Sequence, residues 1–206
     1  MALSIGFLIY TVVQFVAFVC VLTATPIDMF GFRNGSTLTR FPNQCITLWG
    51  VKTECKSLMY ESLSERQWRR CPARRNRFRA AQAFAVISIF VYGAAFVLGA
   101  IMLFCCRWLR WVCLTLNSVG AVTVCIVLVS MVVTYNMDEG TSCFALKIFY
   151  IFSTGFFLLV VACALDVLNI AMLLFLWLDC CSREEEKTMD SEGRESKEEN
   201  KEETQA

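Results

Sequence analysis

The side chains able to do chemistry fall into a few sets. Twelve cysteines and no histidine occur in 206 residues. Without histidine there is no Ser-His or Cys-His nucleophile, no HExxH zinc helix, no histidine haem ligand and no imidazole pH switch. The cysteines are scattered and none has C-x-x-C spacing, which argues against a zinc ribbon or a thioredoxin-type exchanger. No paired carboxylates or activated nucleophile stand in a recognisable setting, so the residues point away from an enzyme and call for no cofactor and no metal.

Three sets remain. The first is Cys45-Ile46-Thr47-Leu48-Trp49-Gly50-Val51-Lys52-Thr53-Glu54-Cys55. Ile46–Trp49 alternates β-formers, Gly50 offers a turn, and Val51–Glu54 alternates again, which predicts a hairpin. Cysteines at its two ends lie close enough to bridge and staple a sheet too small to be stable alone. Trp49 then serves as a contact or packing anchor. The second set packs seven arginines, Arg66, Arg69, Arg70, Arg74, Arg75, Arg77 and Arg79, around Trp68, Cys71 and Phe78. Outside a cell it is a contact for sulfated glycans or anionic headgroups; along the bilayer it seats a helix on phosphates. The third set is Asp166, the one acid inside an otherwise uncharged apolar run, with Asn169 one turn on. Gln14 and Asn117 fall at similar depths in other runs. The four form a polar cluster that either binds a proton or cation or holds helices together through a neutral carboxyl.

The elements that position these residues follow from composition. The chain is 57% hydrophobic with mean hydropathy +0.55, above the ~45–50% of soluble domains. Charges leave four apolar runs, each with the ~20 residues a membrane helix needs. They predict an all-α membrane protein: a four-helix transmembrane bundle with spans near 3–24, 81–106, 111–136 and 149–177, and a small disulfide-stapled β element in the first loop. The first run lacks a basic leader and outruns a signal h-region, so it reads as a retained span. Domain organisation is a four-span unit over 1–181, with a first extracellular loop at 25–79, a second at 138–147 and an acidic tail at 182–206. The tail carries ten Glu and Asp from Glu184 to Glu203 and reads as disordered; Ser182 and Ser196 make it a phosphorylation or docking tail, or it merely solvates. In the second span, Ala95 and Gly99 form a small-xxx-small pair that permits close packing and lends some support to a homo-oligomer. Cys20, Cys113, Cys125 and Cys163 read as apolar packers.

Sidedness is contested within the sequence. The first loop holds eleven Lys/Arg against four acids, which by charge alone belongs in the cytoplasm, although that rule weakens for loops near ~60 residues. Three features oppose it. Asn34-Gly35-Ser36 is a glycosylation sequon. Cys45, Cys55 and Cys71 share the loop, and Cys143 lies in the other loop on the same side, where oxidation pairs cysteines; Cys71–Cys143 is the available second bridge. Cys105-Cys106 and Cys180-Cys181 end spans on the opposite face as palmitoylation candidates.

The Cys45–Cys55 stretch resembles the signature of the amastin family, surface glycoproteins of kinetoplastid parasites. Cys45, Ile46, Thr47, Leu48, Trp49, Gly50, Lys52, Glu54 and Cys55 meet each constrained position of the family's pattern, and the four-span layout is similar as well. The resemblance covers about 1–181 and not the tail. It implies a multi-pass plasma-membrane glycoprotein with cytoplasmic termini, no known enzymatic activity, and partners at the bilayer and a host-cell surface rather than nucleic acid. Amastins are distantly similar to claudins, but Leu48-Trp49-Gly50 departs from the claudin Gly-Leu-Trp-Cys-Cys order, so a paracellular pore is not carried over. The expected function is non-enzymatic surface contact and membrane organisation; the alternative is a small proton- or ion-coupled transporter or channel subunit centred on Asp166.

Overall fold

A computed structural model describes residues 2–33, 44–55, 59–102, 109–140, 143–175 and 178. Among these residues, four helices are long and apolar enough to cross a membrane. They are α1 (Ala2–Ala24), α3 (Pro72–Met102), α4 (Leu109–Asn136) and α5 (Thr154–Phe175), with one short helix, α2 (Ser64–Gln67), before α3. Twenty-two residues in α5 give about 33 Å of rise, enough for a hydrocarbon core. Their outward faces carry bare apolar side chains such as Ile5, Val122, Phe157 and, at 73% exposure, Phe90. Water would not tolerate this continuous apolar girdle; lipid does.

Five short strands cap one end of the bundle. They are β1 (Asp28–Phe32), β2 (Cys45–Thr47), β3 (Gly50–Lys52), β4 (Ser62–Leu63) and β5 (Tyr150–Phe152). The sheet order is β4-β3-β2-β1-β5, with every neighbour antiparallel. A bulge between Asp28 and Phe30 bends β1 where it leaves the end of α1. Cys45 and Cys55 are disulfide-bonded, with Cα atoms 5.3 Å apart.

Two boundaries differ from those read in the sequence. The fourth helix begins at Thr154, not 149, because Tyr150–Phe152 pairs with β1. An apolar edge strand followed by an apolar helix contains no charge to mark the join. The sheet therefore draws on both loops, not the first alone. The third element differs more: α3 starts at Pro72, so Arg74–Arg79 lie on its first two turns instead of in a loop. Proline suits a first helical position. At 31 residues α3 is about 46 Å long, so its arginine end extends beyond a ~30 Å hydrocarbon core.

Two apolar clusters form the interior. The larger runs from the sheet (Met29, Phe30, Ile46, Leu48, Val51) into the bundle (Ala17, Val21, Tyr92, Val124, Leu159, Ala162). Phe30, Tyr135, Phe152 and Phe156 join the two layers through successive ring contacts. The smaller cluster, Tyr10, Met102, Cys113 and Leu173, closes the other end. Ala95 and Gly99 are buried, and Gly99 accepts a hydrogen bond from Thr11 of α1 at 3.4 Å. That face is used within the chain and gives no support to a second copy.

Candidate functional site

The β2–β3 hairpin is built around Thr47. Its Oγ1 accepts from the backbone N–H of Trp49 and of Gly50, each at 3.1 Å, and donates to the Gly50 carbonyl at 2.9 Å. Ile46 pairs with Val51, so Leu48 and Trp49 are the turn, and Gly50 opens the second strand. Gly50 is needed for space: a Cβ there would lie 2.4 Å from the Ser62 carbonyl of β4. Trp49 is half-buried, and its Nε1 donates to the Thr25 carbonyl at the end of α1 at 3.1 Å. Lys52 is buried, donates to the Pro26 carbonyl at 3.3 Å and sits over the Tyr60 ring. Gln82 of α3 donates to the Leu48 carbonyl and to Ser64, both at 2.8 Å. These bonds clamp the hairpin onto α1 and α3. The eleven-residue stretch is a seat for the sheet, and only Thr53, Glu54 and Cys55 face outward.

Asp28 lies beneath the hairpin, paired with Thr47 in β1. Its Oδ1 is buried without a hydrogen-bond partner. Burial pushes its carboxyl above the usual range, and the Lys52 ammonium partly offsets that.

The arginines divide by role. Arg74 is almost fully buried, which removes it from an exposed contact patch. Its guanidinium donates to the carbonyls of Cys143 and Phe144, at 3.3 and 2.8 Å, and stacks over Trp68 at 4.9 Å. Its backbone N–H donates to Glu139 at 3.1 Å, and Arg77 pairs with the same carboxylate. Glu139 thereby supplies the negative charge that the first turn of α3 lacks in its own sequence. Arg79 pairs with Glu65. Arg75 is half-buried. Arg66, Arg69 and Arg70 are exposed and enter no ion pair among the described residues. Cys71 and Cys143 are disulfide-bonded, with Cα atoms 6.0 Å apart, and tie the two loops together.

The Cys71–Cys143 bridge borders a half-open cavity of about 820 Å³ between the head of α3 and the Cys143–Tyr150 segment. Arg66, Arg69 and Arg70 stand at its wall with Trp68 and Arg74. Trp68 Nε1 and Arg74 Nε are buried donors without acceptors. A basic, partly aromatic cavity with exposed guanidinium groups at its wall suits a planar or tetrahedral anion.

The residues predicted to cluster inside the bundle are all buried: Gln14, Asn117, Asp166 and Asn169. The structure joins Asn169 to Gln14 at 2.6 Å. Asn117 instead donates to Tyr10 at 3.0 Å, and Asp166 accepts from Tyr92 at 3.0 Å. The two tyrosines, Glu139 and Gln82 were not singled out from the sequence. Tyr92 carried a faint signal as the only phenol between Arg79 and Arg107. Cys125 and Cys163 place their sulfurs 3.6 Å apart on α4 and α5. Asn34, Cys105, Cys106, Cys180, Cys181 and the acidic tail lie outside the described residues.

The amastin surface glycoprotein family model matches residues 15–173. This chain belongs to the amastin family. The match takes in the hairpin, both disulfides and the intramembrane Asn117, Asp166 and Asn169, and it makes the chain a multi-pass membrane surface protein in contact with the lipid bilayer. No curated protein matches the chain.

Proposed function

We propose that this amastin acts without catalysis, as a contact protein at the plasma membrane. Its termini lie in the cytoplasm and its sheet end faces outward, where it engages anionic glycans on an apposed host-cell surface. The cavity lined by Arg66, Arg69 and Arg70 carries this reading: three exposed guanidinium groups with no ion pair among the described residues belong to its wall. Both disulfides belong to the same end of the molecule, and bridges persist on an oxidising side. That outweighs the basic loop, whose Arg74, Arg77 and Arg79 are engaged in internal bonds. The clamped hairpin and the Cys71–Cys143 tie supply rigidity, which limits the entropy lost on contact.

Two measurements test it. An impermeant maleimide applied to intact cells should label Cys45 and Cys55 only after reduction; labelling that requires permeabilisation overturns the orientation. Joint reversal of Arg66, Arg69 and Arg70 to Glu should abolish salt-sensitive binding to a sulfated glycan column with surface expression intact. Retained binding removes the anionic-contact mechanism. Transport centred on Asp166 is the second reading, favoured by a carboxylate fully buried among four spans. Unchanged proton or ion flux in Asp166→Asn at normal surface levels removes it.

A further inference from the structure

The polar residues inside the bundle form a layer. Along α1 the buried order is Tyr10, Gln14, Ala17; along α4 it is Cys113, Asn117, Val124; along α5 it is Ala162, Asp166, Asn169, Leu173. In each case the polar residue falls between the two apolar clusters. The layer is sealed, since Gln14, Asp166 and Asn169 have no exposed surface and Asn117 has 1%.

Its hydrogen bonding is incomplete in one direction. Asp166 Oδ1, Asn117 Oδ1 and Asn169 Oδ1 are buried acceptors without donors, against a single spare donor, Gln14 Nε2. With Asn117 Nδ2 turned to the Tyr10 hydroxyl and Asn169 Nδ2 to Gln14, the unpartnered groups of the two asparagines are their oxygens. The groups belong together. Asn117 and Gly120 share a face of α4, and a Cβ on Gly120 would lie 3.3 Å from Asp166 Oδ2. Asp166 also acts electrostatically on Tyr10, the partner of Asn117. The titratable groups facing Asp166 are Tyr10 of α1, Tyr92 of α3 and Cys163 of α5, with Cys125 of α4 behind Cys163. None is a cation, and the apolar runs of the four spans contain no Lys or Arg. A buried carboxylate with one hydroxyl donor needs a positive charge the chain does not provide. One proton answers one oxygen; an alkali ion answers several, and hard oxygen donors are its preferred ligands.

We propose that the Asp166 layer binds one sodium ion, with Asp166 Oδ1 as the charged ligand and the side-chain oxygens of Asn117 and Asn169 as neutral ones. A single carboxylate matches a single positive charge. The site does not depend on which side the sheet faces or on what the arginine cavity binds.

Thermal unfolding of the full-length protein in detergent tests this, with NaCl exchanged for choline chloride at constant ionic strength. A hundredfold excess of sodium over Kd should raise Tm saturably by about 5–10 °C. Asp166→Asn should abolish the sodium response. Should Asp166→Asn fail to fold, equilibrium binding of radioactive sodium to the wild-type protein decides, with about one ion per chain expected. Three results overturn the proposal: a wild-type Tm indifferent to sodium, a sodium response that survives Asp166→Asn, or a Tm that moves with pH in choline while ignoring sodium. The last identifies a proton as the only occupant.

Discussion

Gly50 and Asp28 show the hairpin's chemistry one residue at a time. Gly50→Ala drives a methyl into the Ser62 carbonyl, a backbone atom that cannot rotate away. Loss of about 1–3 kcal/mol is expected, as for other overpacked sites, measured as a lower Tm in detergent. Reading glycine from sequence suggests a turn; here Thr47 makes the turn, and glycine admits the next strand. Asp28 gives a pH prediction. Its carboxyl is raised in the folded protein relative to ~3.9 unfolded, so the fold carries a penalty above the raised value. The folded state then binds the proton more readily, and this penalty is relieved as pH falls through the folded pKa toward 3.9. Asp28→Asn should therefore stabilise the protein at pH 7 more than at pH 4.5, seen as a flatter dependence of Tm on pH. An unchanged slope would remove this account.

At the scale of elements, the head of α3 is the least expected arrangement. A helix that opens with Arg74, Arg75, Arg77 and Arg79 opposes its own dipole. Glu139 resolves this from a distant loop by taking the Arg74 N–H and pairing with Arg77. Glu139→Gln should destabilise the protein by about 1–2 kcal/mol, in the range of a lost cap with a charged partner. The cost should persist in high salt, because a partly buried pair is screened little. The Cys71–Cys143 bridge closes a separation of 72 residues. Its removal in a Cys71→Ser, Cys143→Ser double variant should cost about 2–5 kcal/mol, the usual effect of losing a native bridge. The same variant should open the arginine cavity and weaken sulfated-glycan binding. From sequence the two cysteines were merely exposed on a common side, and nothing local to either names its partner.

Across the whole molecule, the core passes without a break from sheet to bundle through Phe30, Phe152 and Phe156. Sheet and helices should therefore melt together. In a variant with Trp108, Trp111 and Trp177 replaced by Phe, the fluorescence of Trp49 and Trp68 at the sheet end should change together with the loss of helical circular dichroism. Two separated transitions would show the sheet to be an independent unit. The exposed apolar girdle also sets the solvent: the fold requires lipid or detergent around α1, α3, α4 and α5.

The sequence alone determined the four spans, because bilayer thickness imposes a length and charges mark where it ends. It also determined the hairpin and its staple, since alternation, turn residues and end cysteines are local signals, and the same eleven residues identify the family. Tertiary structure decided what these parts do to one another. The strand at Tyr150–Phe152 was hidden because an apolar strand and an apolar helix look alike without a charge between them. The burial of Arg74, the capping by Glu139 and the tyrosine partners of Asn117 and Asp166 depend on residues more than sixty positions away. Such pairings are set by how helices cross and loops fold back, and no short window of sequence encodes them.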